Sequence, residues 1–426
     1  MVNNRLQLSK DLISSIFTET GDTCEWLKKT RKVSEKRFLN DGIPLSIDEE
    51  WRLSSPDHFN KVSQVSDEKH YNEVSSPFKK MEKVSLVFVD GVFSKNNSNC
   101  ANVVGIEVTS LEEVITDDDH WSKYIFGKIE QNSQIISKRP LAALNTAFAK
   151  SGVLINVKQS IKVPVELKYV CTKKNAGSLI RNVIRVSDGN AITLIEHYEG
   201  GGWSNICTEL QVEKSAVVEH FRFKYLSEHS CSNIFLFAHL QEKSKLRSSS
   251  LSLGLGHSRN ESHVSLDGEE AQCSISGASY LGEGETLDDD TVSVHHIKPN
   301  CKSRQVFKKV QGTSSVGVFQ GKIRVEREAQ KTDGYQTSRA ILLDQTGKFL
   351  AKPELEIFAD DVSCSHGSVS GAIDEETLFY LQSRGIDETL AKNMLILAFL
   401  SEVFDEIADN KIKSLVLTFI EKHLKL

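Results

Sequence analysis

The sequence predicts a mainly β protein with α-helices at both ends. From Val153 to about Val369, short runs of alternating apolar residues follow one another, separated by Gly, Asp, Asn and Ser. Leu6 to about Leu39 and the residues after Asp374 show helical spacing instead. Of the 426 residues, 39% are hydrophobic and 26% are charged, which is ordinary globular composition. The strand pattern alone leaves a sandwich, a barrel and a β-solenoid as alternatives.

Charge and cysteine spacing exclude several classes of protein. A net charge of −6 argues against a nucleic-acid-binding protein, which usually carries a basic patch. No apolar run is long enough to predict a membrane span. The N-terminal residues lack the apolar core of a secretory signal and are not rich in arginine, so a cytoplasmic protein is expected. None of the eight cysteines forms a C-x-x-C pair, which excludes zinc-finger, thioredoxin-type and ferredoxin-type sites.

Residues 1–83 are predicted to form an N-terminal helical region and a linker. The helical spacing over Leu6 to Leu39 stops at the turn Gly42-Ile43-Pro44. Trp51 follows and is interpreted as an aromatic anchor for these helices, with a contact to a partner as the alternative. Phe59 to Lys83 is rich in Ser, Lys and Glu and is interpreted as a loop.

Residues 84–152 are predicted to form a mixed α/β connection. SLVFVDGVF (Ser85 to Phe93) is typical of a strand that ends in a turn at Asp90-Gly91. Leu111 to Phe126 is interpreted as mainly helical. LAALNTAFAKSG (Leu141 to Gly152) predicts a helix, with its final glycine as the C-terminal cap.

The strand-rich core, residues 153–370, lacks the motifs of common enzymes. Gly317 to Lys322 (GVFQGK) has the wrong spacing for a phosphate-binding loop, so this chain is not expected to hydrolyse ATP. No G-x-S-x-G is present. The acidic run Asp288 to Asp290 is interpreted as a solvated loop, with calcium or sugar binding as the alternative. His295 and His296 are interpreted as mainly structural, because successive residues of a strand point to opposite faces.

Lys352 to Gly371 (KPELEIFADDVSCSHGSVSG) holds the most prominent group of potential metal ligands. Asp360 and Asp361 offer carboxylates, Cys364 a thiol and His366 an imidazole. In a strand, Cys364 and His366 should point the same way, roughly 6 to 7 Å apart. A thiolate and an imidazole suit iron or zinc. Two local ligands do not close a metal site, so a packed thiol and a structural histidine are the alternative.

Residues 371–426 are predicted to form a C-terminal helical domain. Asp374 is expected to cap a helix that runs through Ser383 and ends at Gly385, and Asp387 is expected to cap the next. This second helix is apolar over a wide arc, and a third amphipathic helix follows. One apolar face of these helices must pack against the rest of the protein. Their remaining apolar surface either packs inside the protein as well or forms a docking face for a partner.

Several of these strings resemble one protein family. AQKTDGYQTSRAILL (Ala329 to Leu343), the string from Lys352 to Gly371 and DEETLFYLQSRGID (Asp374 to Asp387) are similar, in this order, to the C-terminal signature of the SufD branch of the SufB/SufD family. Members of this family are scaffold components of the SUF machinery for iron–sulfur cluster assembly. The segment around Trp51 resembles an N-terminal part of the same family.

The resemblance implies a fold, partners and a site. The fold would have a parallel, right-handed β-helix as its core, flanked by helical domains. The chain would be a non-catalytic scaffold that pairs with a SufB-like paralogue through the end of the β-helix, or with itself in isolation. A SufC-like ABC ATPase would dock on the C-terminal helices. His366 matches the histidine that the family supplies to the assembly site, as a transient iron ligand or a proton carrier, and Cys364 stands beside it.

The resemblance implies no permanently bound cofactor. An iron–sulfur cluster would be transient and shared with the SufB-like partner, and flavin binding is left open. Two alternatives remain. One is a carbohydrate-active enzyme on a β-helix, which would need converging carboxylates and usually an export signal. The other is a purely structural adaptor in which His366 has no chemical role.

Overall fold

A computed structural model gives the fold. The description covers residues 2–16, 24–60, 76–99, 103–134, 136–173, 177–227, 230–254 and 256–426. Residues 17–23 of the predicted helical stretch, and much of the expected loop from Phe59 to Lys83, lie outside the described residues. No helix within these ranges is long and apolar enough to cross a membrane.

The core is a parallel β-solenoid of about seven turns, and this confirms the parallel β-helix that the family resemblance implied. Successive strands alternate between two sheets. The ten-stranded sheet has the order β19-β17-β15-β13-β11-β9-β7-β5-β1-β2, and the nine-stranded sheet has the order β18-β16-β14-β12-β10-β8-β6-β4-β3. The strands are β1 (Val84–Val89), β2 (Val92–Phe93), β3 (Ile106–Ser110), β4 (Val153–Val157), β5 (Val165–Cys171), β6 (Gly177–Val186), β7 (Ala191–Gly200), β8 (Trp203–Val212), β9 (Val217–Leu226), β10 (Cys231–Leu240), β11 (Lys245–Gly254), β12 (His257–Leu266), β13 (Gln272–Glu283), β14 (Leu287–His296), β15 (Lys302–Thr313), β16 (Val316–Val325), β17 (Thr332–Leu342), β18 (Lys348–Ile357) and β19 (Val362–Gly371).

The two ends of the solenoid differ. At the N-terminal end, the sheets finish in short antiparallel strands, β2 and β3. The turn between β1 and β2 is at Asp90-Gly91, as predicted, and both residues have positive φ. At the C-terminal end, the sheets finish in β18 and β19, which have ten residues each and pair on one side only within the described chain. Their outer backbone groups are therefore available for pairing.

Helices flank the solenoid on both sides. They are α1 (Val2–Ile16), α2 (Glu25–Asp41), α3 (Leu111–Val114), α4 (Lys128–Ser133), α5 (Pro140–Phe148), α6 (Glu375–Ser383), α7 (Glu388–Ser401) and α8 (Asn410–His423). Short 3₁₀ turns occur at Glu49–Trp51, Lys95–Asn97, Trp121–Tyr124 and Glu402–Glu406. Leu111 to Phe126 is thus helical only in two short pieces, and the prediction for it is confirmed in part.

Three apolar layers hold these elements together. Inward-facing side chains of the two sheets form a core that runs along the solenoid. The N-terminal helices, with α5, pack on the outer face of the nine-stranded sheet. The second half of α7, the turn at Glu402–Glu406 and α8 pack on the outer face of the ten-stranded sheet. Strands in the middle of the nine-stranded sheet, such as β8, β10 and β12, are buried on both faces, as parallel strands usually are, whereas β18 and β19 contain no fully buried residue.

The predicted caps and end of the C-terminal helices are confirmed. Asp374 accepts a hydrogen bond from the backbone N–H of Thr377 and caps α6. Asp387 accepts from two N–H groups at the start of α7. Gly385 has a φ of 87°, which favours glycine after the end of a helix.

Gly152 has a different role from the predicted one. The helix ends at Phe148, and Ala149 is its C-terminal cap residue. A Cβ atom at Gly152 would come within 1.7 Å of the carbonyl oxygen of Arg181. The glycine is therefore explained by close backbone contact between neighbouring turns of the solenoid.

Candidate functional site

The predicted site lies on β19, the last strand of the solenoid. Residues of β19 pair in parallel with β17, so that Cys364 stands beside Gly334 and His366 beside Gln336. Alternate residues of β17, including Gly334 and Gln336, are buried and face the interior. By the same alternation, Cys364 and His366 share the inward side of β19, as predicted. Because no further strand follows, this inward side is open at the end of the solenoid.

Cys364 is a half-buried thiol. It packs against the small apolar group of Ile323, Val325 and Ala329. Its sulfur also lies close to Gly334, where an added Cβ would approach it to 3.2 Å. Burial raises the pKa of the Cys364 thiol above its ordinary value. The thiol is thus held mainly protonated in the isolated chain, which makes it a weak ligand until a metal or a nearby cation favours the thiolate.

His366 is exposed in the middle of β19, the last strand of the solenoid. Asp360 and Asp361 are also exposed but lie in the loop before β19. Asp361 precedes His366 by five residues, which in an extended chain corresponds to a separation of about 16 Å along the strand. The two carboxylates therefore do not join Cys364 and His366, and the described part of the chain contains no group of three His, Cys, Asp or Glu residues that could hold a metal ion.

The surface around His366 has the features of a partner-binding edge. Val369 on β19 is 58% exposed, and Phe358, just after β18, is 50% exposed. The guanidinium of Arg324 lies 5.1 Å from the centre of the Phe358 ring. Two long strand edges with exposed apolar side chains could extend both sheets into another chain.

A buried charged group inside the solenoid was not predicted. Asp288 to Asp290 were expected in a solvated loop, and this is wrong: all three are buried on β14. The Lys309 ammonium lies 2.6 Å from a carboxylate oxygen of Asp288 and 2.6 Å from one of Asp290. Lys224 lies 3.1 Å from Asp288. We call these four side chains the buried quartet.

The pKa values of the quartet follow from its geometry. Burial opposes the charge of Asp288, but Lys224 and Lys309 outweigh it and hold the pKa of Asp288 below its ordinary value. Burial, together with the charge of Asp288, raises the pKa of Asp290. Burial lowers the pKa of Lys224. Sequence reasoning missed the quartet because its members are far apart in the chain, although three consecutive aspartates within an apolar strand pattern were a local signal.

Trp51 connects the N-terminal region to a second buried ionic group. Its ring lies 4.1 Å from the guanidinium of Arg259, which is fully buried on β12. Arg259 pairs with Asp289 at 2.5 Å and with Glu261 at 2.8 Å. Ser54 donates a hydrogen bond to Asp289. These contacts support the interpretation of Trp51 as an anchor.

The two adjacent histidines occupy opposite faces of β14. His296 is fully buried, and its Nε2 lies 2.9 Å from the hydroxyl of Ser303. Burial lowers the pKa of His296 to about 3. His295 is partly exposed and pairs with Glu326 at 2.7 Å. Both therefore have structural partners, in line with the sequence interpretation.

Comparisons with known proteins agree with this fold. A family model described as "SUF system FeS cluster assembly, SufBD core domain" matches residues 169–399. A second, "SufBD protein N-terminal region", matches residues 14–168. Together they span most of the chain, with a boundary within β5.

Among similar curated proteins, the iron–sulfur cluster assembly protein SufD of Escherichia coli (strain K12) is 28% identical over 405 residues, covering 91% of each chain. Protein ABCI7, chloroplastic, of Arabidopsis thaliana is 27% identical, covering 96% of this chain and 88% of the relative. SufD of Bacillus subtilis is 26% identical over 68% of each chain. With the two family models across its solenoid and N-terminal region, the chain belongs to the SufB/SufD family of iron–sulfur cluster assembly proteins.

Proposed function

We propose that this chain is a SufD-like scaffold subunit of a cytoplasmic SufBCD-type complex that assembles iron–sulfur clusters de novo. It pairs with a SufB-like paralogue, docks a SufC-like ATPase and has no catalytic activity of its own. The observation that carries the proposal is the bare end of the solenoid. There, two ten-residue strands, β18 and β19, are left as edges, and β19 carries the His366 imidazole on its inward side.

The assembly site is shared between two chains. His366 offers one nitrogen ligand for incoming iron, and Cys364 offers a thiol that becomes a ligand when iron favours the thiolate. Iron and the nascent cluster are cargo here. A closed four-coordinate site needs more donors than these two side chains, so the SufB-like partner supplies the rest.

The ATPase docks on the exposed part of the C-terminal helices. None of the α6 side chains is buried, and Phe379 and Tyr380 are 71% and 55% exposed. Leu390 and Met394 of α7 are also exposed. The rest of the C-terminal layer is used in packing on the solenoid. An exposed apolar helix pair is the form of surface into which a partner packs.

The test is co-purification of the tagged chain with SufB-like and SufC-like proteins of the same host, followed by His366→Ala. The complex should remain intact, while bound iron and cluster output fall roughly tenfold or more, as expected for a lost metal ligand. Ser365→Ala, its neighbour on β19, is the control and should leave both unchanged. Full output from an intact His366→Ala complex would favour the purely structural adaptor. A chain that recruits neither partner would reopen the carbohydrate-active alternative.

A further inference from the structure

Gly334 on β17 leaves room for the sulfur of Cys364. The two residues are partners in the parallel pairing of β17 with β19. A Cβ atom at Gly334 would lie 3.2 Å from the Cys364 sulfur, closer than non-bonded heavy atoms normally pack. The φ of Gly334 is not in the left-handed region, so the backbone alone does not require glycine there. The missing side chain is therefore explained by the space that the sulfur uses.

An apolar wall borders the same space. The Cδ1 and Cγ2 atoms of Ile323 on β16 would lie 3.4 and 3.5 Å from that Cβ. Ile323 is buried together with Val325 and Ala329, and Cys364 packs against this group although β19 is an edge strand. The sulfur is thus held back against the body of the solenoid. His366, two residues further along the same side of β19, is exposed instead.

The surroundings of the Cys364 sulfur also oppose its ionisation. Burial is the main cause that raises the pKa of Cys364, and the negative charge of Asp333 on β17 adds to the rise. A hydrogen bond with the Gly334 backbone lowers this pKa in part. Because the thiolate is the reactive form of cysteine, a thiol held in this way reacts slowly with electrophiles and oxidants.

We propose that Gly334 is a positioning residue for Cys364: the space that it leaves keeps the sulfur retracted from the open end, so that the thiol stays unreactive until a partner chain covers this end. The inference rests on the proposed role of the open end as a shared assembly site. It adds a device that preserves the thiol in the unpaired subunit. A larger residue at position 334 pushes the sulfur toward the open end, where water favours the thiolate.

The test is alkylation of the full chain with iodoacetamide over a range of pH, with the modification of Cys364 followed by peptide mass spectrometry. In this reaction the thiolate displaces iodide and forms a stable thioether. Gly334→Ala should lower the apparent pKa of Cys364 and raise its alkylation rate at neutral pH by up to about tenfold, the effect of one pKa unit on the thiolate fraction. Gly367→Ala on β19 is the matched control and should leave the rate unchanged, because a Cβ there meets no atom within 4 Å.

A second comparison leaves residue 334 unchanged. Ser365→Cys in a Cys364→Ser chain places a thiol at an exposed position on the other side of the same strand. This thiol should react about tenfold faster than Cys364 does in the unsubstituted chain. Equal rates would overturn the retracted thiol, even if Gly334→Ala did not fold.

The outcomes separate this inference from the proposed function, because labelling is read in the isolated chain and needs neither iron nor a partner. A folded Gly334→Ala chain whose Cys364 rate and pH profile match those of Gly367→Ala would refute the positioning role, whatever His366→Ala does to cluster output. A faster Cys364 in Gly334→Ala, combined with full output from an intact His366→Ala complex, would support the positioning of the thiol and count against the proposed iron ligand.

Discussion

At the residue scale, the buried quartet places four ionisable side chains in the interior of the solenoid, and their charges must balance. Lys224 and Lys309 balance Asp288 and Asp290, so the interior carries no net charge from these four groups. Taking such ions out of water is costly, and the mutual attraction offsets this cost only while all partners are present. Removing one member leaves an uncompensated charge in the core.

Lys309→Met should therefore destabilise the protein by about 3–5 kcal/mol, the range for breaking a buried ion pair. Urea unfolding followed by circular dichroism measures the change. Lys302→Met, on the same strand but exposed, is the control and should stay within about 0.5 kcal/mol of the unsubstituted chain. Equal midpoints for the two variants would contradict an ionic interior held together by Lys309.

Acidification should destabilise the fold through His296. Its pKa is about 3 in the folded chain and about 6.5 when unfolded, so the unfolded state takes up a proton first as the pH falls. The contribution is complete above pH 6.5 and is lost between pH 6.5 and 3. His296→Gln should thus have a shallower decline in unfolding free energy from pH 6 to 4, by up to about 1.4 kcal/mol per pH unit. Parallel profiles for the two proteins would rule this residue out as the cause.

At the element scale, β19 is exposed on its outer edge and on part of its face. Val369→Lys should block pairing with the SufB-like partner, because a lysine on an edge strand disfavours strand addition. The isolated chain should keep its thermal midpoint, since the side chain is already exposed. Co-purification yield is the measurement, and normal recovery of the partner would place the interface elsewhere.

Helix α6 provides a second test at this scale. The double substitution Phe379→Asp and Tyr380→Asp should abolish recovery of the SufC-like ATPase while the SufB-like partner is still recovered. Both side chains are exposed, so the unfolding midpoint should change little. The matched control is Glu376→Ala, an exposed position on the same helix. Undiminished ATPase recovery would show that docking does not use this helix.

At the scale of the whole molecule, the C-terminal helices are part of the main fold. Val403 and Phe404 pack with Phe221 and Leu251 on the outer face of the ten-stranded sheet. A chain ending at Gly371 would expose this apolar face. We expect it to aggregate or bind a hydrophobic dye strongly, as measured by light scattering and dye fluorescence. A monomeric, cooperatively unfolding truncated chain would contradict this and show that the solenoid folds without residues 372–426.

The sequence was most informative where structure depends on near neighbours. The caps at Asp374 and Asp387, and the shared face of Cys364 and His366, follow from spacings of two or three residues. Alternation could not distinguish a solenoid from a sandwich, because both bury strands in the same local pattern. The buried quartet could not be predicted either, since Asp288 finds Lys309 21 residues away and Lys224 64 residues away. Only the family resemblance supplied the fold.

The unequal ends of the solenoid limit the size of any assembly. One end finishes in strands of two and five residues, while the other presents two strands of ten. Two solenoids that meet through their long edges leave only the short ones outside. Addition of a third would then be disfavoured, so we expect association to stop at a pair and not to continue into filaments. Parallel strands can in principle be extended at each edge of a sheet, and in the described part of this chain only the C-terminal end offers edges as long as ten residues.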